Sequence, residues 1–314
     1  MDNLQLADDR ARKGKTKTYA VRRHEDKRDE ELRKLQKALL DGTWKTSKYK
    51  TMTIHEPKER IIYKLPYYPD RIVHHAIVNV CEPIWYPTLT ADTFACIKGR
   101  GLHACAKRLR KDLRNDPNGT VYCLKIDVRK YYPSIDHEIL KKQIRRKIKD
   151  ARLLALIDGI IDSENGLPIG NYLSQHLANL YLCDFDHLIK EKYGVRHYYR
   201  YVDDMVFLAP TKQELHALLD VLRFELSKLK LQIKDNWQIF PVESRGIDFV
   251  GYLFRHKFVL LRKTIKKSIF AKASRLRHGK IRRETWLRAF ASWHGWLKWC
   301  DGYRLENKII LLTN

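Results

Sequence analysis

Two adjacent acids, Asp203 and Asp204, stand between two apolar runs rich in β-forming residues, 198–202 and 205–209. This pattern predicts a tight hairpin with both carboxylates at its tip. Neighbouring carboxylates repel each other, and a divalent cation would relieve the repulsion. The alternative is an ordinary turn, because Asp is a common turn residue.

A third carboxylate, Asp127, ends another apolar run at 121–128. If that strand lies beside the hairpin, Asp127, Asp203 and Asp204 would form an oxygen cage for two Mg²⁺ ions, with Mn²⁺ as a substitute. Val128 is a further candidate metal contact. Such a cage suits in-line phosphoryl or nucleotidyl transfer, so the three acids are the candidate catalytic residues.

The elements that must position these acids are a mixture of strands and helices. Alternating residues at 49–65 predict a hairpin with a turn at 56–59. Helical spacing predicts helices at 25–41, 68–81, 137–160, 174–191 and 211–230. Residues 1–24 are polar and basic with little periodicity, which predicts a mobile arm or a disordered terminus.

The charge of the chain indicates its partner. Its 314 residues carry 62 Lys and Arg against 37 Asp and Glu, a formal net charge of +25. This predicts salt-dependent binding to nucleic acid. Membrane binding is the competing explanation, but no long apolar run exists and the basic residues are spread along the chain. Six scattered cysteines without Cys-x-x-Cys spacing predict reduced thiols in a cytoplasmic protein.

Two motifs carry a family resemblance. The box Tyr201-Val202-Asp203-Asp204 resembles the catalytic box of reverse transcriptases, and Asp127 with the following 131–136 resembles their first palm motif. The resemblance implies an α+β right-hand polymerase with fingers, a palm built on a small antiparallel sheet, and a helical thumb. Expected boundaries are fingers with an N-terminal basic arm at 1–120, palm at 121–260 with 141–175 partly returning to the fingers, and thumb at 261–314.

The same resemblance implies further roles, carried over position by position. Expected contacts to the incoming deoxynucleoside triphosphate are Lys58, Arg60, Tyr132, Ile169 and Gly170. Expected contacts to template and primer are Gly99, Arg100, Ser174, Gln175, Tyr201, Phe249, Gly251 and Tyr252. Tyr132 matches the ring that excludes a ribose 2′-hydroxyl, with a core aromatic as the alternative. Lys234 is a candidate proton donor to pyrophosphate, with a surface lysine as the alternative.

One departure from the family pattern is informative. Ile169 stands where Gln is usual, and Gln175 where Pro is usual. With the stretches 237–242 and 245–252, this resembles the reverse transcriptases of diversity-generating retroelements. An apolar Ile169 cannot form a hydrogen bond, so base-pair geometry would be checked less tightly. A neutral substitution in a loop is the alternative.

That subclass implies an error-prone enzyme, encoded by a bacterium, archaeon or phage, that misincorporates opposite template adenines. Expected partners are a structured retroelement RNA, the primer and growing cDNA, and a small basic helical accessory protein that forms an oligomer. Three alternatives stay open. They are a retron or antiviral reverse transcriptase, an RNA-templated RNA polymerase, which Tyr132 disfavours, and an inactive nucleic-acid scaffold, which the three acids disfavour.

The C-terminal part is basic and aromatic. The stretch 255–283 predicts contact with a duplex backbone. Trp286, Phe290, Trp293, Trp296 and Trp299 recur at helical spacing, which favours a thumb core over a base-stacking platform.

Overall fold

A computed structural model of the chain describes residues 1–55 and 59–313. The predicted turn residues 56–58, and with them the candidate phosphate contact Lys58, lie outside the described residues.

The described residues form a mixed α+β structure, as the sequence predicts. The helices are α1 Asp2–Arg12, α2 Tyr19–Glu25, α3 Arg28–Leu40, α4 Ile72–Trp85, α5 Leu102–Asn115, α6 His137–Lys147, α7 Ala151–Ile161, α8 Tyr172–Tyr181, α9 Cys183–His187, α10 Lys212–Lys228, α11 Val242–Arg245, α12 Lys263–Arg277, α13 Arg283–Leu297 and α14 Tyr303–Thr313. The strands are β1 Lys50–Ile54, β2 Arg60–Lys64, β3 Tyr122–Asp127, β4 His197–Tyr201, β5 Asp204–Ala209, β6 Gln238–Pro241, β7 Ile247–Phe249, β8 Tyr252–Phe254 and β9 Val259–Leu261. Short 3-10 or π turns occupy Tyr67–Arg71, Tyr86–Thr88, Tyr132–Ser134 and Leu188–Lys192.

Two predicted long helices are divided. The stretch 137–160 forms α6 and α7, because Ile148 is extended and the Asp150 side chain accepts a hydrogen bond from the backbone N–H of Leu153, starting a new helix. The stretch 174–191 becomes α8, α9 and a π turn.

The chain divides into two compact units. Unit 1 comprises Met1–Ala91, Val128–Ile189 and Glu225–Gln232, and unit 2 comprises Asp92–Asp127, Lys190–Phe224 and Ile233–Asn314. Residues 92–120, predicted as fingers, therefore group with the strands predicted as palm. The division into fingers, palm and thumb stays a prediction.

Unit 1 corrects the expectation of an N-terminal mobile arm. Residues 1–24 form α1 and most of α2, and α1 packs along α4. Leu4, Ala7 and Ala11 are buried there. Their spacing of three to four residues is helical. The sequence pattern did not reveal it, because charged residues surround these positions and two of the three are alanines, which contribute little hydrophobicity.

An ionic cluster is buried among these helices. Asp8 accepts hydrogen bonds from Arg28 Nε and Tyr67 Oη, both at 2.5 Å. His24 Nε2 lies 3.4 Å from Asp8, and its Nδ1 faces Glu31. Burial alone would raise the pKa of Asp8, but these partners outweigh it and lower the pKa to about 2. Burial opposes the charged form of His24 as well, yet Asp8 and Glu31 raise its pKa.

Asp8→Asn should lower the free energy of unfolding by about 3 kcal/mol, because it leaves buried cationic partners uncompensated. The pH dependence follows from the shifts. The Asp8 contribution is present above its ordinary pKa and is lost as pH falls through about 2. The His24 contribution is present below its ordinary pKa of 6.5 and is lost as pH rises through the raised value.

Urea unfolding curves measured at acidic, neutral and alkaline pH test this. The control is Glu30→Gln, which breaks the exposed Lys34–Glu30 pair on α3 and should leave stability unchanged. Equal curves for Asp8→Asn and Glu30→Gln would contradict the prediction.

Unit 2 is built on an antiparallel sheet in the order β4-β5-β3-β6. A second sheet runs β7-β8-β9. One hydrophobic core joins α5, both sheets and α12–α14, and its buried residues include Leu109, Val206, Phe249, Ile269 and Trp286. Within residues 1–55 and 59–313, no helix combines the length and the apolar character needed to cross a membrane.

Candidate active site

The three predicted acids meet at one end of the unit 2 sheet. Strands β4 and β5 form the predicted hairpin, with Tyr201 opposite Asp204 and a two-residue turn at Val202 and Asp203. Val202 has φ +60, the left-handed conformation that this tight turn demands. The last residue of β3, Asp127, pairs with Asp204 across the sheet. Directly opposed residues share a face, so this register brings the strand-end acid to the hairpin.

The electrostatics show that the carboxylates crowd one another. Burial, followed by repulsion from Asp127, raises the pKa of Asp203. Burial raises the pKa of Asp204 to about 6, with a further rise from Asp127 and an opposing effect of Lys125. Among the described residues, Asp127 Oδ1 and Asp204 Oδ1 are buried carboxylate oxygens without a hydrogen-bond partner. Unpaired buried carboxylate oxygens are unfavourable unless a cation meets them.

Two lysines lie against these acids. Lys234 Nζ donates to Asp127 Oδ2 at 2.5 Å, and the Lys234 backbone N–H donates to the Asp127 carbonyl at 2.9 Å. Lys125 Nζ lies 3.5 Å from Asp204 Oδ2. Lys234 was a sequence candidate, and its position at the site disfavours an unattached surface lysine. Lys125 was missed, although its spacing of two from Asp127 on a strand put both side chains on one face.

The donor chemistry of the site fits a hard divalent cation. In the part of the chain that the structure describes, no three acidic, imidazole or thiol side chains are already arranged as a metal centre. A divalent cation would nevertheless give the two unpaired carboxylate oxygens a partner, and it would favour the charged form of the acids whose pKa values are raised. Asp127, Asp203 and Asp204 are the residues that would hold it. Val128 follows Asp127 with a buried side chain.

A fully buried arginine, which sequence reasoning missed, supports the hairpin turn. Arg200 donates to the Val202 carbonyl at 3.2 Å and to Thr93 Oγ1 at 3.2 Å. The Thr93 carbonyl accepts from Arg100 Nη1 at 2.9 Å. Arg200 therefore links the turn that carries Asp203 to the segment of the predicted template contacts Gly99 and Arg100.

In unit 1, most of the predicted nucleotide contacts are brought together. The backbone N–H of Tyr63, on the same strand as Arg60, donates to the Ile169 carbonyl at 2.7 Å. Gly170 has φ +118, and a Cβ there would overlap the Tyr63 carbonyl. Strand β2 thus rests directly on the Ile169–Gly170 loop, with Arg60 exposed.

Tyr132 joins the same assembly. Its carbonyl accepts a hydrogen bond from the backbone N–H of Leu167 at 2.8 Å. Its ring is half-buried and packs edge-on against Tyr131 at 5.7 Å between centroids. Part of the Tyr132 ring remains accessible, so Tyr132 is not a fully buried core aromatic.

The predicted template contacts differ in accessibility. Gly99 adopts φ +77 in the loop before α5, and Arg100 is half-buried. Tyr201 is half-buried against the core of unit 2. On α8, Gln175 is exposed while Ser174 is buried, so the Ser174 side chain is not presented to a ligand.

The predicted primer hairpin is present, but its aromatic side chains point inward. Strands β7 and β8 pair around a turn at Val250 and Gly251, both with positive φ. Phe249 and Tyr252 are fully buried in the core, so a contact of these two residues with a primer would have to be made by their backbone. Burial of both rings in the apolar core holds the hairpin backbone in place.

Gly251→Ala should destabilise unit 2 by about 1–3 kcal/mol, since overpacking a fixed core forces shifts in its neighbours. A Cβ at Gly251 would overlap the indole of Trp296, and φ is +86. The resemblance implies that this hairpin contacts the primer, so primer affinity is expected to fall as well. The control is Gly279→Ala, which has φ +66 and open space around the added Cβ, so it carries the backbone strain alone. Thermal melts and primer–template binding of both variants test this, and equal losses would contradict it.

The aromatic stripe is mostly core, as the sequence favours. Trp286 is buried, and Phe290, Trp293 and Trp296 pack against the same core. Trp299 differs, because it is exposed and stacks on His103 at 5.4 Å between ring centroids.

Comparison with known proteins identifies a family. A family model described as "Reverse transcriptase (RNA-dependent DNA polymerase)" matches residues 43–254. Protein YkfC of Escherichia coli is 25% identical over 269 residues, covering 71% of this chain and 70% of YkfC. The group II intron-encoded protein LtrA of Lactococcus lactis is 25% identical over 218 residues, covering 64% of this chain but 35% of LtrA.

Solved structures give the architecture. Apo telomerase from Candida tropicalis superposes with a TM-score of 0.50 at 14% identity, covering 68% of this chain and 48% of that one. The same telomerase truncated from its C-terminal domain gives a TM-score of 0.52 at 14% identity, covering 55% of that chain. The chain thus spans about half of these telomerase chains. The likeness shows the fold, a right-hand polymerase, and confirms the predicted fold class.

Proposed function

This chain belongs to the reverse transcriptase family of RNA-dependent DNA polymerases, and from that premise we propose that it extends a primer 3′-hydroxyl with deoxynucleoside triphosphates on an RNA template. One observation carries the proposal. The sheet register brings Asp127 opposite Asp204, beside the Asp203 turn, in a protein of net charge +25. Clustered acids in so basic a chain have a clear use in cation-dependent nucleotidyl transfer and none in a scaffold.

Each residue has a proposed task. Asp127, Asp203 and Asp204 would hold two Mg²⁺ ions, for which Mn²⁺ could substitute. When bound, Mg²⁺ would favour ionisation of the primer 3′-hydroxyl and neutralise charge on the triphosphate. The planar Arg60 guanidinium would grip phosphate with two hydrogen bonds. Lys234 would donate a proton to pyrophosphate.

Substrate choice would depend on unit 1. The accessible part of the Tyr132 ring would clash with a ribose 2′-hydroxyl and so favour deoxynucleotides. Ile169 offers an apolar side chain where the family usually has an amide, so mispaired nucleotides would be rejected less strongly. Its carbonyl is engaged by Tyr63, which supports a fixed position for that side chain.

We further propose the diversity-generating subclass, which rests on the motif wording around Ile169, Gln175 and 237–252. The partners would then be a structured retroelement RNA, the primer and cDNA, and a small helical accessory protein that forms an oligomer. The enzyme would make error-prone cDNA for mutagenic retrohoming in the cytoplasm of a bacterium, an archaeon or a phage host. A retron or antiviral enzyme is the competing assignment.

Primer extension on a defined RNA template, followed by sequencing of the cDNA, tests the proposal. Incorporation of deoxynucleotides with errors concentrated at template adenines is the expected result. Ile169→Gln should reduce those errors about tenfold, because it restores a hydrogen-bonding group at the nucleotide. Accurate copying by the wild type would favour the retron-type enzyme, and absence of synthesis would favour the scaffold.

A further inference from the structure

Lys125 connects three parts of unit 2 through one ammonium group. It lies on the same face of β3 as Asp127, and it pairs with Val206, which places it diagonally across from Asp204. Its Nζ is 3.5 Å from Asp204 Oδ2 and donates to the Asp248 carbonyl at 2.6 Å. The same Nζ lies 5.9 Å from the centre of the Phe249 ring. One charge therefore bridges a candidate metal carboxylate and the β7 strand.

The two acids at the strand ends share one arrangement. Asp127 and Asp204 each face a lysine with one oxygen and bury the other without a hydrogen-bond partner in the described chain. An ammonium group and a divalent cation are attracted to the same carboxylate, so each weakens the binding of the other. The lysine charge is thus part of what a cation must outcompete.

The hairpin does not depend on Lys125 for its attachment. Arg262 Nε donates to Asp248 Oδ1 at 2.5 Å, and the Arg262 backbone N–H donates to the Gly251 carbonyl at 3.0 Å. The β7–β8 turn is therefore held from its other side. A purely structural anchor would be redundant here. Arg262 also lowers the pKa of Asp204, but less than Lys125 does, and it is Lys125 Nζ that lies 3.5 Å from Asp204 Oδ2.

We propose that Lys125 is a positioning residue that acts as the internal counter-ion of Asp204, lowers the affinity of the empty site for divalent cations, and orients the Asp204 carboxylate relative to the primer hairpin. The inference rests on the proposed polymerase function and adds a role that its three acids do not explain. A cation arriving at Asp204 weakens the attraction to Lys125 without removing it, and the ammonium group keeps its bond to the Asp248 carbonyl.

Binding of Mn²⁺ to the full chain without nucleic acid, followed by electron paramagnetic resonance, tests this directly. Lys125→Met should tighten Mn²⁺ binding about two- to fivefold, the range for removing one partly exposed ion pair. In primer extension the same variant should lower kcat about tenfold or more, because Asp204 loses the partner that orients it. Tighter cation binding with slower synthesis is a combination that simple misfolding does not produce.

Three further variants separate the explanations. Lys125→Gln keeps an amide donor for the Asp248 carbonyl but no charge, and should tighten Mn²⁺ binding as Lys125→Met does. Lys125→Arg keeps the charge and should bind Mn²⁺ as the wild type does. Lys298→Met removes one exposed lysine just after α13, outside the stretch 255–283, and should change neither measurement.

The outcomes distinguish this inference from the proposed function. If Lys125→Met and Lys125→Gln bind Mn²⁺ no more tightly than Lys298→Met, the counter-ion role is overturned while the wild-type enzyme still polymerises. If the wild type neither binds Mn²⁺ nor extends a primer, the proposed function itself fails. Thermal melts of each variant identify any that is unfolded, and the Lys125→Arg comparison then decides the role of the charge.

Discussion

Asp203→Asn is expected to abolish primer extension and, in the absence of cations, to make the protein more stable. The rate of extension should fall at least about a thousandfold. This decrease is larger than the one caused by removing a neutral hydrogen-bond donor from a site of developing charge, because a carboxylate that would hold the cation is lost. Stability should rise because the substitution removes a largely buried carboxylate that Asp127 repels. Allowing for partial exposure, the gain is about 1 kcal/mol.

The effect on stability has a definite pH dependence. The pKa of Asp203 is raised, and that of Asp204 is raised to about 6 from its ordinary value of 3.8. A group with a raised folded-state pKa contributes stability below its ordinary pKa, and that contribution is lost as pH rises through the folded value. The wild type should therefore weaken between about pH 4 and about pH 7, and Asp203→Asn and Asp204→Asn should weaken less.

Single-turnover extension in the presence of Mg²⁺ measures the effect on the rate. Thermal melts in a chelator, at acidic and at neutral pH, measure the effect on stability. Asp220→Asn is the matched control, since Asp220 is an exposed acid on α10 that pairs with Arg223 at 3.3 Å. It should change neither rate nor stability. Substantial extension by Asp203→Asn, or a loss of stability at neutral pH, would contradict the assignment of these acids.

The second large effect is expected at Arg200, which does not belong to the acidic set. Arg200→Met removes donors from the Val202 carbonyl and from Thr93 Oγ1, both of which are 3.2 Å away. The turn that carries Asp203 then loses its internal support. Because displacement of a reacting group by about 1 Å can slow a reaction about a hundredfold, we expect a decrease of that size in kcat. The unfolding free energy should fall by about 2–4 kcal/mol as well, since a fully buried charged side chain loses its hydrogen bonds to both acceptors.

A milder pair of variants separates positioning from stability. Thr93→Val removes the hydroxyl at nearly constant volume and should slow extension about tenfold with a stability loss of about 1–2 kcal/mol. Thr93→Ser restores the hydroxyl and should restore the rate. Thr120→Val removes a similarly buried hydroxyl in the turn before β3, which donates to the Asp116 carbonyl at 2.6 Å. It should cost similar stability and leave the rate unchanged; a rate that follows stability in all three variants would refute the positioning role of Arg200.

Local sequence patterns were sufficient to predict the elements that carry the candidate catalytic acids. Apolar runs interrupted by paired acids predicted the β4–β5 hairpin, and an apolar run ending at Asp127 predicted β3. The residues of the motifs were sufficient to predict the family, and the spacing of the leucines was sufficient to predict α10. These features depend on residues within one turn or one strand of each other, so the sequence states them directly.

Other features depended on residues far apart in the chain. The register that opposes Asp127 to Asp204, the pairing of Lys234 with Asp127 and the bridge from Arg200 to Thr93 each join segments that no local pattern connects. The motif that contains Phe249 and Tyr252 predicted primer contacts, but only the fold showed that both rings are buried in the core of unit 2. Residues 1–24 looked disordered by composition, but packing on α4 made them helical.

The sequence by itself thus determined the candidate catalytic acids, the elements that carry them and the family of the chain. The tertiary structure alone decided which charges face each acid, which aromatic rings remain accessible and which buried arginine supports the turn. The physical reason is that propensity and periodicity act between near neighbours along the chain. Burial and charge pairing depend on strand register and on packing between distant segments.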